Sequence, residues 1–414
     1  MAGTDLQRTW GTPTDAKKYT LSLWLKRCNS GSIDWIINTG GDFGLIMFTA
    51  ADVIDWAEYT SGYKYRIVTN RKFRDPGAWY HLVFAFDSTA SAGDRQRLYV
   101  NGVEETSFST DTNPALNYST LMNSAILHSL GSQNAEGYAN YSDVVMAHVH
   151  FTDGTAYAPT AFGETDATSG IWVPKTGPSV TYGDNGFFLK FASGAEGTDS
   201  SGEGNNWTVS NGTLTQTKDT PNNNFATLNP LDNYYQAATF SQGNNTVIAT
   251  ASKYAPSTST LGMGAGKWYW EVKAAARSGG NDYMVGVAST QTTGTQELGN
   301  WPNDWAYMSG TGNYRNDNTN TSYGTGYDTG DIIGVALDLT NSKLYFSLNG
   351  TWQDSGDPTS GATGTGAISI TAVASTPLGA YFAGVAYDAA SAATFNANFG
   401  NGYFGTTSHG ETNA

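Results

Sequence analysis

Three groups of residues have the types and spacing for chemistry. Glu164 and Asp166 stand two apart, and retaining glycoside hydrolysis needs two carboxylates about 5–5.5 Å apart on one strand face, one as nucleophile and one as acid. The stretch 164–169 reads Glu-Thr-Asp-Ala-Thr-Ser, lacks a closing carboxylate and is bounded by turn residues, so hydrolysis through it is not expected. Glu271 and Glu297 have no acidic strand partner, and Glu271 alternates with Trp268, Trp270 and Val272, which reads as a surface carboxylate. His148 and His150 form a His-x-His that would set two imidazoles roughly 6.5–7 Å apart on one strand face, a span zinc can bridge; a third ligand is missing from the local pattern, and His81 on another strand could converge. No local Cys or carboxylate completes that set, and the expected role is solvated or sheet-facing histidine. Asp199, Glu203 and Asn205 in a Gly-rich loop carry the oxygen ligands calcium prefers, against a capped turn as the simpler expectation. No metal or other cofactor is therefore expected, calcium being the weak exception. Residues 262–267 are glycine-rich before Lys267, yet Trp268 stands where a phosphate loop needs Ser or Thr and a strand pattern follows. No Gly-x-Ser-x-Gly elbow presents a serine nucleophile.

A fourth group points to binding. Between residues 299 and 328 lie Trp301, Trp305, Tyr307, Tyr314, Tyr323 and Tyr327, interspersed with Asn303, Asp304, Asn313, Asn316, Asp317 and Asn318. Aromatic faces stack on the apolar face of a sugar ring while short Asn and Asp side chains bond its hydroxyls, the composition of adaptable contact loops. Trp305, Tyr307, Tyr323 and Tyr327 are expected to serve structure, the first two in a buried strand and the last two over a core edge. The glycan-binding candidates are Trp301, Tyr314, Asp317 and Asn318, which sit among the most turn-like residues.

The elements that must position these groups are strands. Period-two alternation dominates and no window of ten or more residues keeps a helical 3.6 period, which predicts an all-β chain. Tyr19, Leu21, Leu23 and Leu25 share one face of a strand; Tyr80, Leu82, Phe84 and Phe86 repeat the device. Asn101-Gly102 and Asn349-Gly350 supply the positive φ of tight hairpins. At 414 residues the chain suits two domains. Residues 193–224 are rich in Gly, Ser, Thr, Asn and Asp with Trp207, Val209 and Leu214 as apolar anchors, and 193–230 reads as the linker between domains at 1–192 and 231–414. Two tandem antiparallel β-sandwiches are expected, because no blade-length repeat favours a propeller. The formal charge is −15 from 21 Lys and Arg against 36 Asp and Glu, and the basic residues are scattered, so nucleic acid is not an expected partner. Cys28 is the one cysteine, which rules out an internal disulfide and fits assembly in a reducing cytosol. No apolar run approaches a membrane span, and residues 1–10 are too polar for a signal-peptide core.

Ala78-Trp79-Tyr80-His81-Leu82-Val83, Leu98-Tyr99-Val100-Asn101-Gly102-Val103 and Ala147 to Gly154 resemble the central hairpin and following strand of concanavalin A-like, laminin-G-like sandwiches. Together with Phe162-Gly163-Glu164-Thr165, Gly186 to Leu189, Asn205-Asn206-Trp207 and Asn224 to Leu231, the series is similar to laminin-G-like structural proteins of bacteriophages, marine ones in particular. Gly266 to Val272, Val285-Gly286-Val287, Gly330 to Asp338, Lys343 to Ser347 and Phe395 to Gly400 resemble SPRY modules.

The resemblance implies a virion structural protein on the particle exterior, synthesised in the bacterial cytoplasm. The leading expectation is a non-enzymatic tail-fibre or appendage adhesin that attaches to host cell-surface polysaccharide. The alternative is a head decoration or capsid fibre, and the remote one a polysaccharide-degrading glycoside hydrolase, whose Glu-x-Asp-x-x-Glu the chain lacks. Partners would be other tail, fibre or capsid proteins, and a homo-oligomer, a trimer by analogy, is implied. Related chains carry an extra strand before the position of Arg8-Thr9, so the sheet edge there is expected to stay open or to pair with a neighbouring chain.

Overall fold

The computed structural model describes residues 3–41, 43–232, 238–249, 256–277, 283–290, 296–387 and 392–401. The described residues are strands, turns and single-turn 3₁₀ segments, all ladders being antiparallel. No helix among them is long and apolar enough to cross a membrane. The chain divides into two compact units: residues 1–216 with 220–224, and residues 217–219 with 225–414.

Unit 1 stacks an eight-stranded sheet on a six-stranded one. The first runs, in spatial order, Phe108–Thr112, Tyr63–Thr69, Ile54–Tyr59, Phe43–Phe48, Asp34–Thr39, Leu127–Leu130, Asp5–Thr9 and Thr208–Ser210; the second runs Phe187–Leu189, Val144–Asp153, Lys18–Arg27, Trp79–Asp87, Gln96–Val100 and Val103–Glu104. Alternation selects the core. Tyr19, Leu21, Leu23 and Leu25 meet Leu82, Phe84 and Phe86 across their ladder and Ile46, Trp56 and Ile67 from the facing sheet, all buried. Each such side chain contributes about 1.5–3 kcal/mol through area removed from water. Asn101 and Gly102 take φ of 50° and 81°, the type I′ geometry whose twist suits the hairpin they close.

The expected linker belongs largely to unit 1. Trp207 is 5% exposed and its ring stands edge-on to Phe187 at 5.1 Å and to Trp10 at 6.2 Å. Strand Thr208–Ser210 pairs with Asp5–Thr9 in the register Leu6↔Val209. The boundary falls inside that stretch, at residues 217–225, because the apolar anchors Trp207, Val209 and Leu214 pack on the first core. The same strand corrects the expectation of an open amino-terminal edge. A segment about 200 residues downstream closes it within the chain.

The outward face of the six-stranded sheet is also covered. Thr20, Ser22 and Trp24 are buried beneath the stretch 155–182, which Thr20 Oγ1 grips by donating to the Thr155 carbonyl (2.9 Å) and accepting from the Tyr157 N–H (2.7 Å).

Unit 2 repeats the sandwich. Its eight-stranded sheet runs Ala238–Ser241, Thr246–Ala249, Ala393–Asn398, Lys267–Arg277, Ile332–Asp338, Lys343–Leu348 and Thr351–Trp352, with Ile368–Ser369 also paired to Lys343–Leu348. The six-stranded sheet runs Ser257–Thr258, Phe382–Tyr387, Tyr283–Ala288, Trp305–Met308, Asn313–Asn316 and Thr319–Ser322. Trp270, Val272, Val335, Phe346, Val285, Tyr307 and Phe395 fill the space between.

Candidate functional site

At one end of the six-stranded sheet in unit 2, a hairpin tip and a loop are fastened together. Asp317 and Asn318 take φ of 48° and 57°, the left-handed pair of a type I′ turn that Asp and Asn tolerate better than other non-glycine residues. The Asp317 N–H donates to the Trp301 carbonyl (3.3 Å) and the Asn318 N–H to the Gly299 carbonyl (3.2 Å). Asn316 Nδ2 donates to the carbonyls of Pro302 (3.0 Å) and Asp304 (2.8 Å). Arg315 ties the loop a second time, through Glu297 (2.6 Å) and Asn318 Oδ1. Trp301, Asp317 and Asn318 are thus gathered at one place, the tryptophan half-buried and the other two exposed.

Tyr314 is not part of that group. Its ring lies edge-on to Tyr323 at 6.0 Å and packs against the core. Tyr323 and Tyr327 are core residues too, the Tyr327 hydroxyl donating to the carbonyls of Tyr307 (2.8 Å) and Tyr283 (3.0 Å).

Sequence reasoning passed over Asp304 as a site residue. Its Oδ1 accepts the N–H groups of Ser289 (2.9 Å) and Thr290 (3.1 Å), while Oδ2 is buried without a hydrogen-bond partner among the described residues. Desolvation raises its pKa to about 7. The indole N–H of Trp301 and the amide oxygen of Asn300 are likewise buried without partners. The one sequence signal was a short acidic residue directly before a buried aromatic strand. The arrangement offers an aromatic ring and polar side chains on a braced backbone, which suits hydroxyl-rich ligands.

In unit 1 three histidines gather on the outward face of the six-stranded sheet. A bulge between Ala147 and His150 puts His148 at φ 49° and breaks the alternation on which a regular His-x-His relies. His148 and His150 both stack on Phe188, at 6.0 and 3.9 Å, and His150 Nδ1 contacts the Tyr182 hydroxyl at 2.9 Å. His81 sits 2.9 Å from Ser22 Oγ, a pair with the look of a nucleophile and its base. The indole N–H of Trp172 settles its tautomer: it donates to His81 Nδ1 (2.9 Å), so Nε2 carries the proton and donates to the serine. A base toward Ser22 would need Nε2 free. Burial holds His81 down at about 3 and lowers His148 and His150 as well.

The oxygen-rich loop is committed to its own backbone. Asp199 Oδ1 accepts from the N–H groups of Phe188 and Ser201 (both 2.8 Å), and Oδ2 from Ser201 Oγ (2.8 Å) and the Asn205 N–H (2.9 Å). Asn205 accepts from Arg8 and donates to the carbonyls of Asp184 (2.8 Å) and Gly186 (2.7 Å), while Glu203 is exposed. Among the described residues no group of three or more His, Cys, Asp or Glu is placed to hold a metal. Asp166 accepts three hydrogen bonds from Thr168 and Ser169, which lower its pKa, opposite to what a general acid needs.

Residues 3–160 match the family model of the concanavalin A-like lectin/glucanases superfamily and residues 267–383 that of the SPRY domain. The chain thus carries a concanavalin A-like, laminin-G-like domain and a SPRY domain in tandem. No curated protein matches it. Among solved structures, the SPRY domain of human HERC1 is 14% identical over 42% of this chain and 97% of its own, with a TM-score of 0.33. The TRIM65 PSpry domain is 17% identical over 42% and 91%, at 0.30. Stonustoxin is 20% identical over 42% of this chain, which spans 27% of the toxin, at 0.30.

Proposed function

We propose that this chain is a non-catalytic binding protein whose SPRY unit presents the 297–318 loops to a cell-surface saccharide. The observation that carries the reading is the bracing of Trp301 beside the exposed Asp317 and Asn318 by backbone bonds from residues 299–304, since a rigid contact surface loses little entropy on binding. The lectin-type sandwich in the same chain supports a binding role. The commitment of the Ser22–His81 pair and of Asp166 to structural bonds supports the absence of catalysis. The similarity of the tandem series to phage structural proteins extends the proposal to display on a virion, as a tail fibre or appendage that attaches to host envelope polysaccharide.

Antibody-labelled electron microscopy of intact particles tests the extension. Label at the tail is expected, label over the head would replace the adhesin by a capsid decoration, and particles without label would refute the virion assignment. Competition tests the attachment: free protein at saturation is expected to block adsorption, and no competition would refute the adhesin.

A further inference from the structure

The outward face of the eight-stranded sheet in unit 2 holds an aromatic ring pinned by a buried carboxylate. Two rows cross this face. In one, Tyr269 pairs with Ala336 and Ala336 with Tyr345; in the next, Glu271 pairs with Gly334, Gly334 with Ser347, and Ser347 with Trp352. Small residues at the centre of both rows leave room above the strands, and Tyr269 occupies it. Its hydroxyl donates to Glu271 Oε1 (2.8 Å). A Cβ at Gly334 would lie 2.4 Å from Ser347 Oγ, 2.7 Å from Tyr269 Oη and 3.2 Å from Tyr269 Cε2, so the phenol crosses directly over the glycine. Trp352, half-buried, stands edge-on to Tyr269 at 6.2 Å and 69°, and to Tyr345 at 6.4 Å and 76°.

Glu271 corrects the sequence expectation of a surface carboxylate. It points outward but is 2% exposed, because the rings above it exclude water, and its Oε2 is buried with no hydrogen-bond partner among the described residues. A buried orphan acceptor is destabilising, and such groups call for an explanation beyond stability. What Glu271 supplies is the acceptor that fixes Tyr269, a residue that itself remains 39% exposed. Burial and the neighbouring carboxylate push the phenol above its ordinary range, so it stays a donor. One row further along, the exposed Lys267 pairs with the buried Asp338 (3.4 Å), which also accepts from Asn341, and the half-buried Lys343 donates to Ser369 Oγ (3.0 Å), so Lys267 is the exposed polar group of that row. The two lysines disfavour a cationic ligand over Tyr269.

We propose that this face is a saccharide-stacking platform: the apolar face of a pyranose lies on Tyr269 against the edge of Trp352, and its hydroxyls reach the exposed ammonium of Lys267. The proposal rests on the saccharide-binding reading above and adds a second site to the same unit. Glu271 is a positioning residue here, acting through Tyr269.

Saturation-transfer NMR on the intact chain tests it, with the methyl glycosides of glucose, galactose, mannose, N-acetylglucosamine and glucuronic acid as probes. Transfer to at least one glycoside is expected, strongest at the ring protons of its apolar face. Tyr269→Ala is expected to weaken binding about tenfold, the scale of one lost aromatic contact, with the folded dispersion of the proton spectrum retained. Tyr269→Phe, which keeps the ring and removes the anchor, is expected to weaken it less but measurably. No transfer to any probe, or transfer indifferent to Tyr269→Ala, overturns the platform. Loss of transfer in Trp301→Ala alone overturns the platform and leaves the loop site standing; loss in Tyr269→Ala alone does the reverse.

Discussion

Acidification should act on the two units in opposite directions. In unit 1, His81 is neutral when folded, its pKa held at about 3 by burial, against about 6.5 in an unfolded chain. Below pH 6.5 the unfolded state takes up a proton that the folded state refuses, so the stability His81 contributes is present above pH 6.5 and lost as pH falls toward 3. Between pH 7 and pH 5 the loss is about 2 kcal/mol. In unit 2 the sign reverses. Asp304 is raised to about 7 when folded from about 3.9, so its contribution is full below 3.9 and lost as pH rises through 7. The gain from pH 7 to pH 5 is again about 2 kcal/mol. His128, also held at about 3, adds to the loss in unit 1, and Asp143, raised to about 6, offsets part of it. Single variants isolate each group. His81→Gln keeps one donor for Ser22 and one acceptor for Trp172 while removing the titration, and Asp304→Asn does the same for the N–H groups of Ser289 and Thr290. Opening free energies come from hydrogen exchange of peptides spanning 18–27 and 79–87 for unit 1, and 283–288 and 332–338 for unit 2. His81→Gln should reduce the pH 7-to-5 loss in unit 1 by about 2 kcal/mol, and Asp304→Asn should abolish a gain of similar size in unit 2. A pH dependence identical to that of the unaltered protein in either variant would refute the burial argument for that residue.

Other perturbations have equally definite outcomes. Arg27, fully buried between Asp34 and Asp52 at 2.9 Å each, is expected to cost unit 1 about 3–5 kcal/mol on replacement by Met, because the buried Asp34 loses its cationic partner while Asp52 keeps Arg74; urea unfolding followed by exchange in unit 1 measures it. A fragment ending at residue 192 should fail to fold and one ending at 224 should fold, as read by dispersion in proton NMR, since the shorter one lacks Trp207 and strand Thr208–Ser210. Gly163→Ala should destabilise the cover over His81, because a Cβ there would meet the Trp172 indole at 2.6 Å; raised exchange in 155–182 would show it.

How far the sequence reaches depends on whether a signal is local. The strands around Leu21 and Phe84 and the turn at Asn101-Gly102 were legible because alternation and turn chemistry are written within a few residues. The closing strand Thr208–Ser210 was not, since its partner Asp5–Thr9 lies about 200 residues away and its Gly- and Ser-rich surroundings have a linker's composition. The Asp317-Asn318 turn was half legible. Its residues suit a type I′ turn, but the flanking Thr319–Ser322 is wholly exposed and shows no alternation to mark a strand. Glu271 was placed on the correct face and given the wrong environment. Periodicity tells outward from inward but does not report that a neighbouring tyrosine folds over the sheet where Gly334 leaves space. His81 was seen as a metal-ligand candidate; its tautomer depends on Trp172, about ninety residues away and packed over it.

The central claim is binding without cleavage, and one experiment meets it directly: the intact chain incubated with purified host envelope polysaccharide, with retention on the immobilised polymer and release of reducing ends measured together. The account predicts retention, a loss of about tenfold in affinity for Trp301→Ala on the scale of one aromatic contact, and no reducing ends above the protein-free control. Reducing ends that accumulate with time, or no retention at saturating polymer, would contradict it.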